Sequence, residues 1–136
     1  MGSYIKVYIL AFIIFMAIDL VWLGIIAKDF YRDQLSSFLK EKYNMNAALL
    51  FYIVYIAGLV FFVISRASTI DSWQYALFAG MLYGFVTYST YGITNYSTIK
   101  DWPSFLTMID IGWGTFLCGI TSYLTHIIST NIAFFQ

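Results

Sequence analysis

Long apolar stretches separated by short polar segments dominate the amino-acid sequence. Four of them are long enough to cross a bilayer, since about 20 mostly apolar residues span the roughly 30 Å hydrocarbon layer. They cover residues 5–27, 47–65, 73–94 and 105–128. Lipid cannot satisfy backbone polar groups, so such segments must be helices or strands of a closed barrel. Barrel strands would alternate apolar and polar residues over about 10 positions, which these stretches do not, so the pattern predicts helices.

The composition indicates the same class of protein. Hydrophobic residues make up 61% of the chain and charged residues 10%, whereas soluble domains average about 25% charged residues. Little sequence remains outside the four stretches. We therefore predict an all-α, polytopic integral membrane protein, a four-transmembrane-helix bundle that forms a single membrane domain over residues 1–136.

The connection between the first two predicted spans, residues 28–46, has an amphipathic pattern. Apolar residues recur there at near-helical spacing between charged ones, at Phe30, Tyr31, Leu35, Phe38 and Leu39. This pattern predicts a short helix on the bilayer surface or a continuation of the first span. An anchoring connector is the plainer interpretation, and a mobile lid over a site is the alternative.

Basic residues are unevenly divided between the two sides of the predicted bundle. One side carries Lys28, Arg32, Lys40, Lys42 and Lys100, and the other carries Lys6 and Arg66. Because basic residues in short loops favour the cytoplasmic side, both termini are predicted to lie outside.

Two aspartates lie inside predicted spans with no basic residue near them in sequence. Asp19 is followed one helical turn later by Trp22, and Asp110 by Trp113. An ionisable side chain in hydrocarbon costs roughly 2.5–3.5 kcal/mol on insertion scales, so it indicates a functional site. At 1.5 Å per residue, Asp19 and Asp110 lie about 13 Å and about 10 Å from the same side of the membrane. We therefore expect the two carboxylates to belong to one site.

Further polar residues are predicted near that depth, on the second and third spans. Together with Trp22 and Trp113, the additional candidates for binding a ligand or ion are Tyr52, Tyr55, Tyr88, Tyr91, Thr94 and Asn95. The opposite halves of these spans are mostly apolar, which favours a pocket open to one face over a uniform pore. Tyrosine and tryptophan faces would attract an amine by about 0.5–2 kcal/mol each.

The chemistry of the two carboxyl groups has two interpretations. Burial without a cationic partner favours the neutral carboxyl, and two neighbouring carboxyls titrate as a coupled pair. Such a pair would hold a proton in transit, a metal ion or an organic amine. In the structural interpretation, protonated aspartates bond to tyrosine or tryptophan across helices and fix the helix register, at about 0.6 kcal/mol per bond.

Residue content excludes several other chemistries. The single cysteine, Cys118, permits no internal disulfide and no thiolate metal cluster. The single histidine, His126, argues against histidine-rich metal sites and a Ser–His hydrolase. We predict no resident metal, no cofactor and no nucleic-acid partner, and catalytic residues stay unassigned, so an enzymatic role is left open.

Small residues recur at every fourth position of the third predicted span, at Ala76, Gly80 and Gly84. Such spacing lets another helix approach closely. Packing within the bundle is the plainer interpretation, and a homodimer seam is the alternative.

Five sequence motifs together resemble a known family. They cover residues 19–24, 27–31, 51–59, 88–95 and 110–114. Over Tyr4 to Ile128, the chain resembles a family of small four-span bacterial inner-membrane proteins catalogued as a domain of unknown function. The resemblance implies the fold and the location in the bacterial inner membrane, and it brings no established activity. It also leads us to expect an aspartate where this chain has Gly92, so a third carboxylate of the family would be lost here.

The leading functional hypothesis is binding of a small cation, amine or proton-coupled solute, with translocation as its extension. Asp19 and Asp110 would be the charge partners, and the aromatic and polar candidates would orient the ligand. One alternative is a membrane enzyme or lipid-binding protein acting on a lipid or hydrophobic substrate, with a carboxyl as general acid or base. The other is a structural or assembly subunit of a membrane complex.

Overall fold

The computed structural model describes residues 2–35 and 44–135, and every regular element in these two ranges is helical. The α-helices are α1 (Gly2–Val21), α2 (Lys28–Leu35), α3 (Met45–Leu59), α4 (Ser65–Ile70), α5 (Trp73–Thr98) and α6 (Ser104–Asn131). The π-helical turns Trp22–Ile26 and Val60–Ile64 follow α1 and α3, and a 3₁₀ turn, Ala133–Phe135, follows α6. The all-α prediction is confirmed.

Three continuous helical stretches are long and apolar enough to cross a membrane. They are Ser3–Ile26, Met45–Ile70 and Ser104–Asn131. Helix α5 has 26 residues and is therefore also long enough. Its second half, rich in tyrosine, threonine and serine, makes it less apolar than the other three. The membrane class is confirmed, and α5 is the helix that corresponds to the third predicted span.

Polar residues mark the starts of two long helices. The Asn44 side-chain oxygen accepts a hydrogen bond from the Ala47 amide at 3.1 Å before α3. The Ser72 hydroxyl accepts one from the Tyr75 amide at 3.0 Å before α5. Each satisfies a backbone donor that the first helical turn leaves without a partner. Between α4 and α5, Asp71 adopts a left-handed conformation with φ of 49°, which ends α4 and reverses the chain.

Helices α5 and α6 lie in backbone contact. A Cβ atom at Gly80 would lie 2.7 Å from both the Cys118 carbonyl oxygen and the Ser122 hydroxyl oxygen. A Cβ atom at Gly84 would overlap the carbonyl group of Gly114. Only small residues permit such an approach, so the predicted packing of the small-residue ladder within the chain is confirmed.

The apolar core lies where α1 and α3, with its following π-helical turn, meet α6. Its largest fully buried apolar side chains are Phe15, Ile56, Leu59, Ile64 and Leu117. Large apolar side chains also cover the outside of the long helices, including Ile13, Phe61, Phe78 and Phe116. An apolar exterior of this extent matches the hydrocarbon of a bilayer, where the protein resides.

Helix α2 is the described part of the predicted amphipathic connector. Its charged residues are exposed, whereas Phe30, Tyr31 and Leu35 are half-buried. The rest of the predicted apolar face, Phe38 and Leu39, lies outside the described residues, as do Lys40 and Lys42. The connector as a whole therefore stays a prediction, while α2 itself is packed against the bundle through its apolar face.

Candidate functional site

Asp19 lies near the end of α1 and is only 4% exposed. Its Oδ2 atom accepts a hydrogen bond from the Tyr52 hydroxyl at 2.7 Å. Its Oδ1 atom accepts one from the indole N–H of Trp113 at 3.1 Å. Because Tyr52 lies on α3 and Trp113 on α6, a single carboxyl group joins three helices. Both of its oxygens have donors, as expected of a buried polar group.

Asp110, on α6, is half-buried and accepts fewer hydrogen bonds from the described residues than Asp19 does. Its Oδ1 atom accepts a hydrogen bond from the Tyr31 hydroxyl of α2 at 2.7 Å. Within residues 2–35 and 44–135, no donor is found for Oδ2. Burial, followed by the charge of Asp110, raises the pKa of the Tyr31 hydroxyl above its ordinary value, so Tyr31 remains a donor at neutral pH.

In each Asp-x-x-Trp motif, the tryptophan is directed toward the aspartate of the other motif rather than its own. The Trp22 and Trp113 rings stack with centroids 4.4 Å apart and an interplanar angle of 10°. Trp113, which follows Asp110 on α6, donates to Asp19. Trp22, which follows Asp19, donates to the Tyr31 hydroxyl at 3.3 Å, and Tyr31 donates in turn to Asp110. Trp113 thus donates a hydrogen bond directly to the carboxyl group of the other motif, whereas Trp22 is connected to it through Tyr31. We refer to the two motifs with their four residues, Asp19, Trp22, Asp110 and Trp113, as the exchanged pair.

Local helix geometry explains how the exchanged pair forms. The spacing of three residues places each aspartate and its tryptophan on the same face of a helix. At Trp22 the chain changes to a π-helical turn, in which the Ala27 amide donates to the Trp22 carbonyl at 2.7 Å. The wider turn holds an extra residue per turn and so rotates the chain that follows. Helix α2 begins directly after it, which brings Tyr31 to Asp110.

The two carboxyl groups have no basic partner in the described part of the chain. In that part of the chain, His126 Nε2 lies 3.7 Å from Asp71 Oδ1, at the other end of the bundle. Asp19 and Asp110 lie close enough for their charges to interact. Among the described residues, no group of three or more histidine, cysteine, aspartate or glutamate side chains is arranged to hold a metal ion.

A cavity of about 170 Å³ lies beside Asp110. It is lined by Tyr31, Leu35, Tyr91, Gly92, Trp102, Leu106, Thr107 and Asp110. A Cβ atom at Gly92 would lie 3.0 Å from Thr107 Cγ2, so this glycine permits the close approach of Thr107 in the cavity wall. The cavity is larger than a water molecule, whose share of the liquid is about 30 Å³. It combines a carboxyl group with three aromatic side chains.

The remaining sequence candidates on α5 fall into three groups. Tyr88 packs its ring on Gly114. Its hydroxyl lies close enough to both aspartates to interact with their charges. Tyr91 lines the cavity and meets Trp102 edge to face at 6.3 Å between ring centroids. Thr94 is exposed and Asn95 is half-buried. In the described part of the chain, neither of these last two bonds to a carboxyl group or lines the cavity.

Tyr55 belongs to a second polar cluster, deeper in the bundle. Its hydroxyl lies 2.6 Å from Thr87 Oγ1 and 3.2 Å from Cys118 Sγ. The Tyr83 hydroxyl donates to the Tyr55 carbonyl at 2.9 Å. The structure therefore separates Tyr55 from the exchanged pair, although the sequence suggests the same depth for both.

Three aromatic or polar residues of the cavity lining are missing from the sequence candidates: Tyr31, Trp102 and Thr107. Tyr31 carried a usable signal, because it lies on the apolar face of an amphipathic segment that begins where the first span ends. The anchoring interpretation of that segment directs its apolar face to lipid rather than to Asp110. Trp102 and Thr107 flank the start of α6, and only the fold of α2 and α5 against that start brings them to the cavity.

A family profile described as "Predicted membrane protein (DUF2177)" matches residues 4–127. The chain belongs to this family. The match confirms the resemblance found in the five motifs, and the DUF2177 description specifies a membrane protein without an activity. The matched range contains the exchanged pair, α2 and the whole lining of the cavity. No curated protein and no solved structure matches the chain significantly.

Proposed function

We propose that this protein binds a small organic cation, such as a protonated amine, in the cavity beside Asp110. One observation carries the proposal: a carboxyl group whose Oδ2 atom has no hydrogen-bond donor among residues 2–35 and 44–135 lies beside a cavity of about 170 Å³ with aromatic lining. An ammonium group would use the free carboxylate oxygen as its counter-charge. A charge-assisted hydrogen bond of this kind contributes about 1.5–3 kcal/mol.

The aromatic lining supports a cation rather than a neutral solute. Tyr31, Tyr91 and Trp102 surround the space next to Asp110. A cation over an aromatic face gains about 0.5–1 kcal/mol at an exposed site and about 2 kcal/mol when water is excluded. An uncharged molecule of the same size would gain only the apolar contact.

Asp19 has a different role in this proposal. Its two oxygens already accept hydrogen bonds from Tyr52 and Trp113. A ligand would have to displace one of these donors to reach it. Asp19 therefore acts as a positioning residue that holds α1, α3 and α6 together and orients the stacked tryptophans.

An acid–base enzyme is the weaker candidate. His126 lies 16 residues beyond Asp110 on α6, hence about 24 Å away along the helix axis. A histidine at that distance cannot exchange a proton directly with a substrate at Asp110. No observation favours hydrolysis or lipid turnover over binding.

Location and orientation are part of the proposal. We propose residence in the bacterial inner membrane with both termini outside, which places Asp110 and its cavity toward the cytoplasmic side. The support is the excess of basic residues at that end, of which Lys28, Arg32 and Lys100 are in described positions. Translocation would be an extension of binding.

Calorimetric titration in lipid nanodiscs tests the proposal. Tetramethylammonium is the charged probe, and tert-butyl alcohol, similar in size and uncharged, is the matched control. Tetramethylammonium carries a charge but no N–H, so it tests the counter-charge alone: wild type is expected to bind it and not the alcohol, and Asp110→Asn to lose about tenfold or more in affinity because the carboxylate charge is removed. Equal binding of both probes, or full affinity in Asp110→Asn, would overturn the proposal.

A further inference from the structure

A second cavity, of about 500 Å³, lies at the end of the bundle opposite to Asp110. It lies between the start of α1, the helix α4 and the end of α6, where the three candidate spans begin or end. Its described lining is rich in serine and threonine and includes one charged side chain, that of Asp71. Because the ends of membrane spans lie next to the polar headgroup layer, this cavity is at the height of lipid headgroups.

Several hydroxyl groups of the cavity already donate their proton to the backbone. Ser65 and Thr69 each donate to the carbonyl four residues earlier in the chain, at 2.7 Å and 3.0 Å. Ser129 donates to the His126 carbonyl at 3.2 Å. Since a hydroxyl has one proton and two acceptor lone pairs, these three oxygens can only accept further hydrogen bonds. The cavity wall therefore favours a ligand that donates hydrogen bonds.

Asp71 gives this acceptor-rich wall a negative charge. Its side chain is 86% exposed, and among the described residues no donor bonds to its carboxylate. His126 Nε2 lies 3.7 Å from Asp71 Oδ1, which is longer than a hydrogen bond. A carboxylate beside acceptor oxygens attracts a cation with N–H groups, and a primary ammonium has three of them.

An apolar groove of about 460 Å³ adjoins the cavity, between α1 and the stretch from α3 to α4. Tyr4, Val60 and Ser65 line both spaces, so the groove begins beside the cavity. From Ser65 it extends to Ala57, about 12 Å toward the middle of the membrane. The Tyr8 hydroxyl bonds to a carbonyl of α3 at 2.8 Å, so this polar group of the groove lining has its partner. The groove therefore suits a hydrocarbon chain.

We propose that the cavity and the groove together bind a phospholipid with a primary ammonium headgroup, a phosphatidylethanolamine. The ammonium group would lie against the Asp71 carboxylate and the acceptor oxygens, and one acyl chain would lie along the groove. Ser3 and Ser68, whose hydroxyls bond to no described residue, would donate to the phosphate. Lys6, one turn after Ser3 on α1, adds a positive charge on that side.

The headgroup chemistry distinguishes this lipid from its neighbours in a bilayer. A choline headgroup carries the same charge but no N–H, so it cannot donate to the acceptor oxygens. A soluble amine would meet the same oxygens but would leave the apolar groove unused. This lipid site shares no residue with the Asp110 cavity, and its existence does not depend on the proposed cation site.

Native mass spectrometry in detergent tests the headgroup preference. Phosphatidylethanolamine and phosphatidylcholine with identical acyl chains compete in equal amounts for the protein. Wild type is expected to retain the ethanolamine lipid about tenfold more strongly, corresponding to the charge-assisted bond. Asp71→Asn removes the charge, and asparagine tolerates the left-handed backbone with φ of 49°, so the preference should fall to about twofold or less.

Two other aspartates provide controls for this competition. Asp101 also has a left-handed backbone, with φ of 62°, but lies at the other end of the bundle, so Asp101→Asn should keep the preference. Asp110→Asn should keep it as well, which separates the lipid site from the cation cavity. Equal retention of the two lipids by wild type, or an unchanged preference in Asp71→Asn, would overturn the proposal.

Filling the groove tests whether the ligand is a lipid rather than a soluble amine. Ala57 is exposed in the groove, so Ala57→Phe occupies the space of the acyl chain and should lower the retention of both lipids about fivefold. Ala47→Phe, also exposed on α3 but outside the groove, is the control and should change nothing. Glycerophosphoethanolamine has the same headgroup without acyl chains, and at equal concentration it should not displace the lipid. Displacement by it, or full retention in Ala57→Phe, would contradict a lipid site.

Discussion

Asp19 and Asp110 occupy the same short motif and have different surroundings. Asp19 is almost fully buried, and each of its oxygens accepts a hydrogen bond from another helix. Asp110 is half-buried, accepts one hydrogen bond from Tyr31, and adjoins a cavity. The difference separates a buried carboxyl group with a donor on each oxygen, which joins helices, from one whose second oxygen has no donor in the described part of the chain and which we propose as the ligand contact.

The difference between the two aspartates arises from their neighbours. Asp19 is enclosed because Tyr52 and Trp113 come from helices packed directly against α1. Asp110 is covered by the short α2, and Gly92 on α5 contributes no side chain next to it. The four pairs of substitutions below are designed to widen or remove this contrast, beginning with the largest expected effect.

Removing each carboxyl group gives the strongest contrast in stability. Asp19→Ala leaves the Tyr52 hydroxyl and the Trp113 indole without an acceptor, so it should lower the free energy of unfolding by about 2 kcal/mol. Asp110→Ala removes one bond and should cost about 0.6 kcal/mol, a typical value between membrane helices. Reversible unfolding in mixed micelles measures both. Equal losses in the two variants would remove the contrast.

Substituting the tryptophans tests whether the motifs exchange their indoles. Trp113→Phe keeps an aromatic ring against Trp22 but removes the donor to Asp19, so we expect a loss of about 1 kcal/mol. Trp22→Phe removes a longer bond to Tyr31, and the expected loss is about half as large. The same unfolding experiment compares them. A larger loss of stability for Trp22→Phe than for Trp113→Phe would contradict the stronger contribution expected of the Trp113–Asp19 bond.

Removing the hydroxyl of Tyr31 or Tyr52 sharpens the comparison further. Tyr52→Phe leaves Asp19 Oδ2 buried without a donor, and should lower the unfolding free energy by about 1 kcal/mol. Tyr31→Phe should cost about 0.6 kcal/mol, since half-buried Asp110 can take a water molecule instead. Greater instability in Tyr31→Phe than in Tyr52→Phe would be evidence that Asp110, not Asp19, is the structural carboxyl.

The smallest expected effect is on ligand affinity at the edge of the cavity. Tyr91→Leu removes one aromatic face, and tetramethylammonium affinity should fall about two- to fivefold, corresponding to about 0.5–1 kcal/mol. Thr94→Ala, on the same helix but away from the cavity, is the control and should bind as wild type does. Titration in nanodiscs measures both variants. An unchanged affinity in Tyr91→Leu would exclude this residue from the site.

The helices were predictable because apolar length alone identifies a membrane span. All four predicted stretches correspond to long helices, including Trp73–Thr98, whose polar half weakens the signal. Helical rise also predicted that Asp19 and Asp110 share one end of the bundle. The sequence was less informative about which helix face points where, and Tyr55 and Asn95 were expected closer to the carboxyls than they are.

The cavity could not be predicted because its walls come from separate elements. Tyr31 reaches Asp110 only because a π-helical turn redirects the chain before α2. The lining of the cavity also includes Gly92 of α5 and Thr107 of α6, which meet only across the contact between these two helices. The buried polar side chains of α6 could not be predicted either, because the sequence does not show that residues such as Thr121 and Thr125 are buried.

The division of roles between Asp19 and Asp110 is the central claim, and one paired measurement tests it most directly. Unfolding free energy and tetramethylammonium affinity are determined side by side for Asp19→Asn and Asp110→Asn, in the same lipid. Asparagine keeps the size of the side chain and removes its charge. The prediction is that Asp19→Asn loses stability and, where folded, keeps its affinity, whereas Asp110→Asn keeps its stability and loses about tenfold or more in affinity. If a single variant loses both properties, or if Asp19→Asn alone loses affinity, the division of roles is wrong.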